Sequence, residues 1–412
     1  MKAHWSLLAI ALVATSFGCR RGERVAPAAR PAGPRAAADA SPTVPEADLQ
    51  PPAAPRGRQI SLFYSSNLQG KYAPCNCAVE PLGGLARRAT IVGRGRAEAD
   101  ATVVVDAGDL FKPEGTEAET ERQGRLLGAG LARAGLDAFT PGETDLAIGV
   151  PRLQKLTAAF KIPVVSANLY GRDGRRLFAP DRLLDAAGTK IGLFGVTAPP
   201  TAEDANRWRA EGIAVRDPLD AAREAVASLR ARGAAIVVAL VHGGLPAQNR
   251  ALVGGMTGVD WAVLGHSALN LERPEKAGGA LLLEAQSEGK DLGRLDLHLV
   301  DGRTTFVDRG ERAEIAATLA DHRRQLGGYD RSLEAMDPAA LEDYYRQRRQ
   351  QLEAAIARET AALAALPPVI SGSWFENRVI PLGREVPDDP AVAQLIRDSV
   401  ARGLAEKRPP HL

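Results

Sequence analysis

Three turns in this chain carry side chains that bind transition metals, and each turn follows a buried-looking apolar run. Val103-Val104-Val105-Asp106-Ala107-Gly108 leads into Asp109. Ile236–Val241 leads straight into His242-Gly243-Gly244, and Trp261-Ala262-Val263-Leu264-Gly265 leads into His266-Ser267. With six histidines in the whole chain, two in this one kind of position stand out. A lone histidine after a strand is ordinarily a cap or a hydrogen-bonded core group. Two with an aspartate, each beside a glycine that permits close backbone approach, point to one shared cation. Imidazole and carboxylate together suit Zn, Mn, Fe or Ni.

The cysteines form a second candidate. Three are too few for a disulfide-built scaffold, but two of them stand as Cys75-Asn76-Cys77. The pair reads in three ways: thiolates ligating Zn or a redox-active metal, a local disulfide, or inert packing. A disulfide across a single residue would be strained and relatively oxidising.

The elements that must position these groups alternate. Strand candidates are Ile60–Tyr64, Thr102–Asp106, Pro163–Ser166, Lys190–Val196, Ala235–Val241, Trp261–Leu264, Leu281–Glu284 and Leu292–Val300. Helical patterns lie between them at Leu85–Ala97, Thr120–Ala134, Val150–Ala159 and Leu219–Arg232. Strands alternating with helices predict an α/β fold with covered sheets, and ligands gather just past strand ends in such sheets. Past Arg309 the composition shifts. Residues Pro338–Leu366 have a long-helix composition closed by Pro367-Pro368, Ser373–Val386 reads as extended or loop, and Asp389–Glu406 as a final helix.

The N-terminus reads as an address. A basic Met1-Lys2 precedes an apolar run from Trp5 to Phe17, too short to span a bilayer core of about 30 Å but suited to a signal peptide. Gly18-Cys19 then resembles the lipobox of bacterial lipoproteins, which implies lipidation at Cys19; a secretory signal cleaved nearby is the alternative. Residues 20–58, dense in Pro and Ala, read as a disordered tether. The expected organisation is a signal segment at 1–19, the tether at 20–58, an α/β domain at 59–309 and a helical extension at 310–412. Lys+Arg at 52 against Asp+Glu at 50 gives a net charge of +2, and aromatics are 5%, so neither charge nor stacking indicates a nucleic-acid partner.

Asp109, His242 and Gly265-His266-Ser267, in this order and spacing, resemble the bacterial periplasmic 5′-nucleotidase and UDP-sugar hydrolase family of calcineurin-like metallophosphoesterases. Gly83–Thr90, Ser166-Ala167-Asn168 and Lys190–Val196 add to the likeness, which covers about Gln59–Arg309. The resemblance implies a metallophosphoesterase-type β-sandwich flanked by helices in four layers, αββα. It implies two metals bridged by the carboxylate of Asp109. The family's Gly-Asn-His-Glu motif reads Gly142-Glu143-Thr144-Asp145 here, so Glu143 replaces an amide ligand by a carboxylate. Asp109, Glu143, His242 and His266 then form one four-ligand site.

The other metal position departs from the family. Its opening Asp-x-His-Gly is Asn67-Leu68-Gln69-Gly70, leaving Asn67 and Gln69 as weak contacts, and the last residue of its Gly-His-Ser-His/Gln motif is Ala268. The family's catalytic His falls at Thr144, and the Asp that orients it falls at Ala147. The expectation is an exported, cell-envelope protein holding one divalent ion (Zn, Mn, Fe or similar), with hydrolysis of phosphate esters weakened by these losses. The alternative is a non-hydrolytic lipoprotein that binds a metal, a small anion or a redox partner. The Pro74–Cys77 loop and Gly83–Thr90, together with Trp374–Arg378 and Val386–Val392, are also similar to exported metallophosphatase-like proteins joined to multihaem cytochromes, which implies a cytochrome partner. Without Cys-x-x-Cys-His the chain itself carries no c-type haem motif.

Overall fold

The computed structural model describes residues 44–75, 80–267, 269–335 and 342–406. The expected signal segment with Cys19, the first part of the expected tether, Cys77 and Ala268 lie outside the described residues.

The chain runs through β1 (Arg58–Ser65), α1 (Leu85–Glu98), β2 (Ala101–Asp106), α2 (Glu117–Ala134), β3 (Ala138–Phe139), α3 (Glu143–Ala147) and α4 (Val150–Ala159). It continues with β4 (Leu169–Tyr170), β5 (Asp181–Ala186), β6 (Thr189–Thr197), α5 (Ala202–Glu211), β7 (Ala214–Val215), α6 (Pro218–Ala231), β8 (Ile236–His242) and α7 (Pro246–Gly254). Then follow β9 (Trp261–Gly265), β10 (Glu275–Ala277), β11 (Ala280–Leu283), β12 (Asp291–Leu299), β13 (Val307–Asp308), α8 (Glu311–Ala335), α9 (Glu342–Ala365), β14 (Trp374–Pro381) and α10 (Pro390–Glu406).

Local chemistry sets several of these bounds. A capping box between Thr116 and Glu119 opens α2, and Gly135 closes it in the left-handed region at φ 69°. Asp217 caps α6, with Pro218 in its first turn.

Two six-stranded sheets result, ordered β13-β14-β12-β1-β2-β3 and β10-β11-β9-β8-β6-β5, beside a two-stranded β4-β7 pair. Their facing sides meet in one apolar layer that includes Leu62, Tyr64, Val105, Leu193, Val238, Trp261 and Phe375. On its other side the first sheet packs on α1, α2, α4 and α10 through residues such as Phe63, Val104, Leu127, Leu156 and Val392. The second sheet is covered by α6 and α7 through Phe194, Val237, Ala225, Leu229 and Val253. The architecture is therefore the four-layer αββα sandwich. With both faces covered, central strands read as unbroken apolar runs; all seven residues of β8 are buried.

Several regions differ from the sequence reading. Pro163–Ser166 forms only isolated bridges, Phe139 to Val164 and Val165 to Ala179, rather than a strand. The strand β14 lies past the expected boundary at Arg309, yet it belongs to the first sheet. It pairs antiparallel with β12 along Asp291–His298, and its Trp374 Nε1 donates to Pro55 O at 2.9 Å. The segment after Thr43, read as tether, packs on the helical hairpin: Val44 joins Ala316, Leu319 and Leu363, and Asp48 pairs with Arg312 at 2.6 Å. His322 ties α8 to α9 through Glu359 at 2.9 Å. Among the described residues, no helix is long and apolar enough to cross a membrane.

Candidate metal centre

Asp109, His242 and His266 stand at or just past the carboxyl ends of β2, β8 and β9, and Glu143 opens α3 beside them. One ligand atom from each of Glu143, His242 and His266 can be chosen so that all lie within 4.8 Å of one another. His242 Nε2 donates to Glu143 Oε2 at 2.7 Å, and His266 Nδ1 bonds Glu143 Oε1. Asp109 Oδ1 lies 3.5 Å from His242 Nε2. The two imidazoles cross nearly edge to face, centroids 5.9 Å apart. The structure thus brings together all four residues that the sequence singled out for one site.

The backbone is shaped to make this possible. Asn67 (φ 54°), Gln69 (φ 48°), Asp109 (φ 58°) and His266 (φ 79°) all adopt the left-handed region that non-glycine residues avoid. Such outliers gather where a structure over-determines a functional geometry. Gly142 admits the cluster by lacking a side chain, since a Cβ there would collide with Asp109 Oδ1 and the His242 ring.

Charge and burial set the protonation. Burial pushes the fully enclosed His242 down, but Asp109 and Glu143 more than offset it and carry its pKa up to about 10. Burial pushes Glu143 up, yet its bonds to the two imidazoles hold it well below the usual carboxylate range. Asp109 is raised, first by burial and then by Glu143. His266 is raised by its hydrogen bond to Glu143, with burial opposing. These protons occupy the space between carboxylate and imidazole that a cation would take, so the donor set fits a divalent ion that displaces them. His242 Nδ1 donates to Ala107 O at 2.5 Å, which fixes the ring and turns Nε2 into the cluster.

Two buried acids, which the sequence reading did not single out, hold the ligand loops. Asp145 accepts the backbone N–H groups of Asp109 (2.7 Å), Phe111 (2.7 Å) and Gly142 (2.9 Å), tying the turn after β2 to the start of α3. Glu284 accepts from Ser267 Oγ at 2.8 Å and from the Leu269 N–H at 3.0 Å, and so braces the His266 loop. Burial raises its pKa to about 7 against the opposing bonds from Ser267 and Leu269. The signal for Glu284 was present, as an acid closing a strand candidate; Asp145 stood inside the Gly142–Asp145 motif.

The weak contacts expected after β1 turn out differently. Asn67 Oδ1 accepts the His266 backbone N–H at 2.8 Å, so that oxygen is already engaged. Gln69 joins the arrangement through its backbone N–H, which donates to Asp109 O at 2.7 Å, rather than through its amide. Near the end of β1 the buried Arg88 donates to Ser65 Oγ at 2.5 Å and pairs with Asp106 at 3.9 Å. Thr144 N–H donates to Asp109 Oδ1 at 2.8 Å, and its hydroxyl donates to Phe111 O at 2.7 Å. Cys75 is disulfide-bonded and lines a cavity of about 710 Å³ with Lys71, Tyr72, Pro74 and Arg122.

No family model matches the chain. The 5′-nucleotidase of Vibrio cholerae is 27% identical over 262 residues, covering 54% of this chain and 46% of that protein. The chain spans about half the length of the curated relatives it matches. Among solved structures, the calcineurin-like phosphoesterase YfkN from Bacillus subtilis aligns with TM-score 0.57 at 17% identity, over 85% of this chain and 99% of that one. The 5′-nucleotidase precursor from Thermus thermophilus gives TM-score 0.57 at 19% identity, over 84% of this chain and 59% of that one. The fold is that of the metallophosphoesterases. In sequence and in fold the chain resembles 5′-nucleotidases and related calcineurin-like phosphoesterases, a family that depends on divalent metal.

Proposed function

We propose that this chain is an exported, envelope-anchored metalloprotein that binds a phosphate ester at a centre built for one divalent cation. Asp109, Glu143, His242 and His266 would hold that ion, with Zn, Mn or Fe suiting the donors. The observation that carries this reading is the convergence of three ligand atoms within 4.8 Å, with Asp109 Oδ1 alongside at 3.5 Å from His242. What supports a single ion is the β1 loop, where the Asn67 oxygen already accepts the His266 backbone N–H and Gln69 bonds Asp109 through its backbone.

A divalent cation supplies Lewis-acid polarisation of a phosphoryl oxygen. The residues around it do the rest. Ala107 O holds His242 in one tautomer, Asp145 and Glu284 brace the loops, and Asp109 offers a carboxylate 3.5 Å from His242 Nε2. Thr144, where the resemblance puts a catalytic histidine, uses its hydroxyl on Phe111 O, and Ala147 offers no proton-carrying group. Losing a positioned acid–base typically costs ~10²–10⁴ in rate, so turnover is slow. The same observation favours the second reading, a lipoprotein that binds its anion without hydrolysing it. More than half of the Vibrio cholerae 5′-nucleotidase lies outside the match, so the proposal stops at phosphate esters as a class. Lipidation at Cys19 would supply the anchor, and an envelope cytochrome is the proposed partner on sequence similarity alone.

Purified protein should release phenol from an aryl phosphate in the presence of Mn or Zn, and His242→Ala should abolish that release. Metal-dependent binding with no release from any ester would leave the second reading; activity equal in His242→Ala would refute the centre.

A further inference from the structure

Asn67 does more than fail to be a ligand. Its Oδ1 accepts the His266 backbone N–H at 2.8 Å, and this fixes which way round the amide sits. Were it reversed, an NH₂ group would face an N–H donor, which is repulsive. The Nδ2 end is therefore a directed donor in the same corner as His266. It is buried with the rest of Asn67, which is 1% exposed, and no described acceptor reaches it. A buried donor without a partner is a standing cost that native structures seldom carry unless a ligand or ordered solvent meets it. The backbone adds to the oddity: Asn67 and its neighbour Gln69 both hold left-handed conformations, so the side chain is locked in place by strained backbone.

We infer that Asn67 Nδ2 is an oxyanion-binding group, donating to a phosphoryl oxygen at the position where related proteins would be expected to hold a second cation. The inference rests on the functional reading above and deepens it. Replacing a carboxylate by an amide, with the oxygen held by His266, turns a cation ligand into an anion donor. Phosphate would be gripped from one side by the single cation's site and from the other by this amide.

The test uses inorganic phosphate as the probe and the intact protein, titrated calorimetrically with and without Zn. Asn67→Asp keeps an oxygen for the His266 N–H but replaces the donor by a negative oxygen. Asn67→Ala removes the donor without adding charge, but it also removes the acceptor of the His266 N–H, so metal content is measured alongside. Both variants should bind phosphate about tenfold or more weakly, the loss of one hydrogen bond to a charged group, with Asn67→Asp the weaker. Metal content should be unchanged or, in Asn67→Asp, firmer, so a weakened phosphate site cannot be blamed on a lost ion. Phosphate binding by Asn67→Ala equal to that of the unaltered protein overturns the inference, even if Asn67→Asp binds poorly, because charge repulsion alone then explains the aspartate. Absence of bound metal in the unaltered protein would sink the functional reading instead, and the zinc-free titration still decides the role of Asn67.

Discussion

On one side of Asp109, the ends of β8 and β9 and the start of α3 bring two imidazoles and a carboxylate within ligand distance of each other. On the other side, the loop after β1 brings two amides, one committed to a backbone bond and one not engaged through its side chain. Both halves use the same device, a strained turn at a strand end, and both are fully built. They differ only in the chemistry of the side chains delivered. A fold can thus deliver side chains from two directions while only one side collects charge, and geometry alone does not report how many ions a centre holds.

The contrast can be attacked first from the catalytic side. If the centre is intact but lacks a proton carrier, Thr144→His combined with Ala147→Asp should raise metal-dependent hydrolysis of an aryl phosphate by about 10²-fold or more. An unchanged rate would mean that the missing half of the site, not the missing acid–base, limits turnover.

A comparable effect, on stability, concerns the brace between the halves. Asp145→Ala removes the acceptor of three buried N–H groups, from Asp109, Phe111 and Gly142. At ~1 kcal/mol or more for each orphaned donor, stability should fall by about 3 kcal/mol, read as a lower urea midpoint. A midpoint within error of the unaltered protein would show that the turn after β2 holds itself.

The smallest effect is pH-dependent and belongs to the His266 loop. Glu284 has its pKa raised from 4.5 to about 7. A carboxyl raised on folding contributes its full share of stability below the unfolded value and loses it as pH rises through the folded one. Glu284→Gln should therefore match the unaltered protein near pH 4.5 and become more stable than it by up to about 2–3 kcal/mol near pH 8. Unfolding curves at the two pH values give the comparison, and a gap that does not widen with pH would refute the assignment.

Much of this was legible in the sequence where physics leaves a one-dimensional trace. Strands covered on both faces, such as β2 and β8, show as unbroken apolar runs, and their ends locate His242 and Asp109 without any structure. Glu143 was legible only through a motif, because it starts a helix and follows no apolar run. The edge strand β5, Asp-Arg-Leu-Leu-Asp-Ala, escaped because its residues are half-exposed and polar, and only pairing with β6 makes it a strand. β14 was read as extended chain, but its place in the first sheet is set by its register with β12, which is encoded many residues away. The roles of Asp145 and Asn67 were hidden for a different reason. Each depends on which backbone N–H groups reach the side chain across the fold, and no spacing in the sequence carries that information.

The central claim is that four side chains share one divalent cation. Purified protein equilibrated with excess Zn or Mn, freed of loose metal and analysed for elemental content should carry one ion per chain, and His242→Ala and Glu143→Ala should each carry essentially none. Two ions per chain would contradict the single-ion account, and a stoichiometry indifferent to both substitutions would contradict the centre itself.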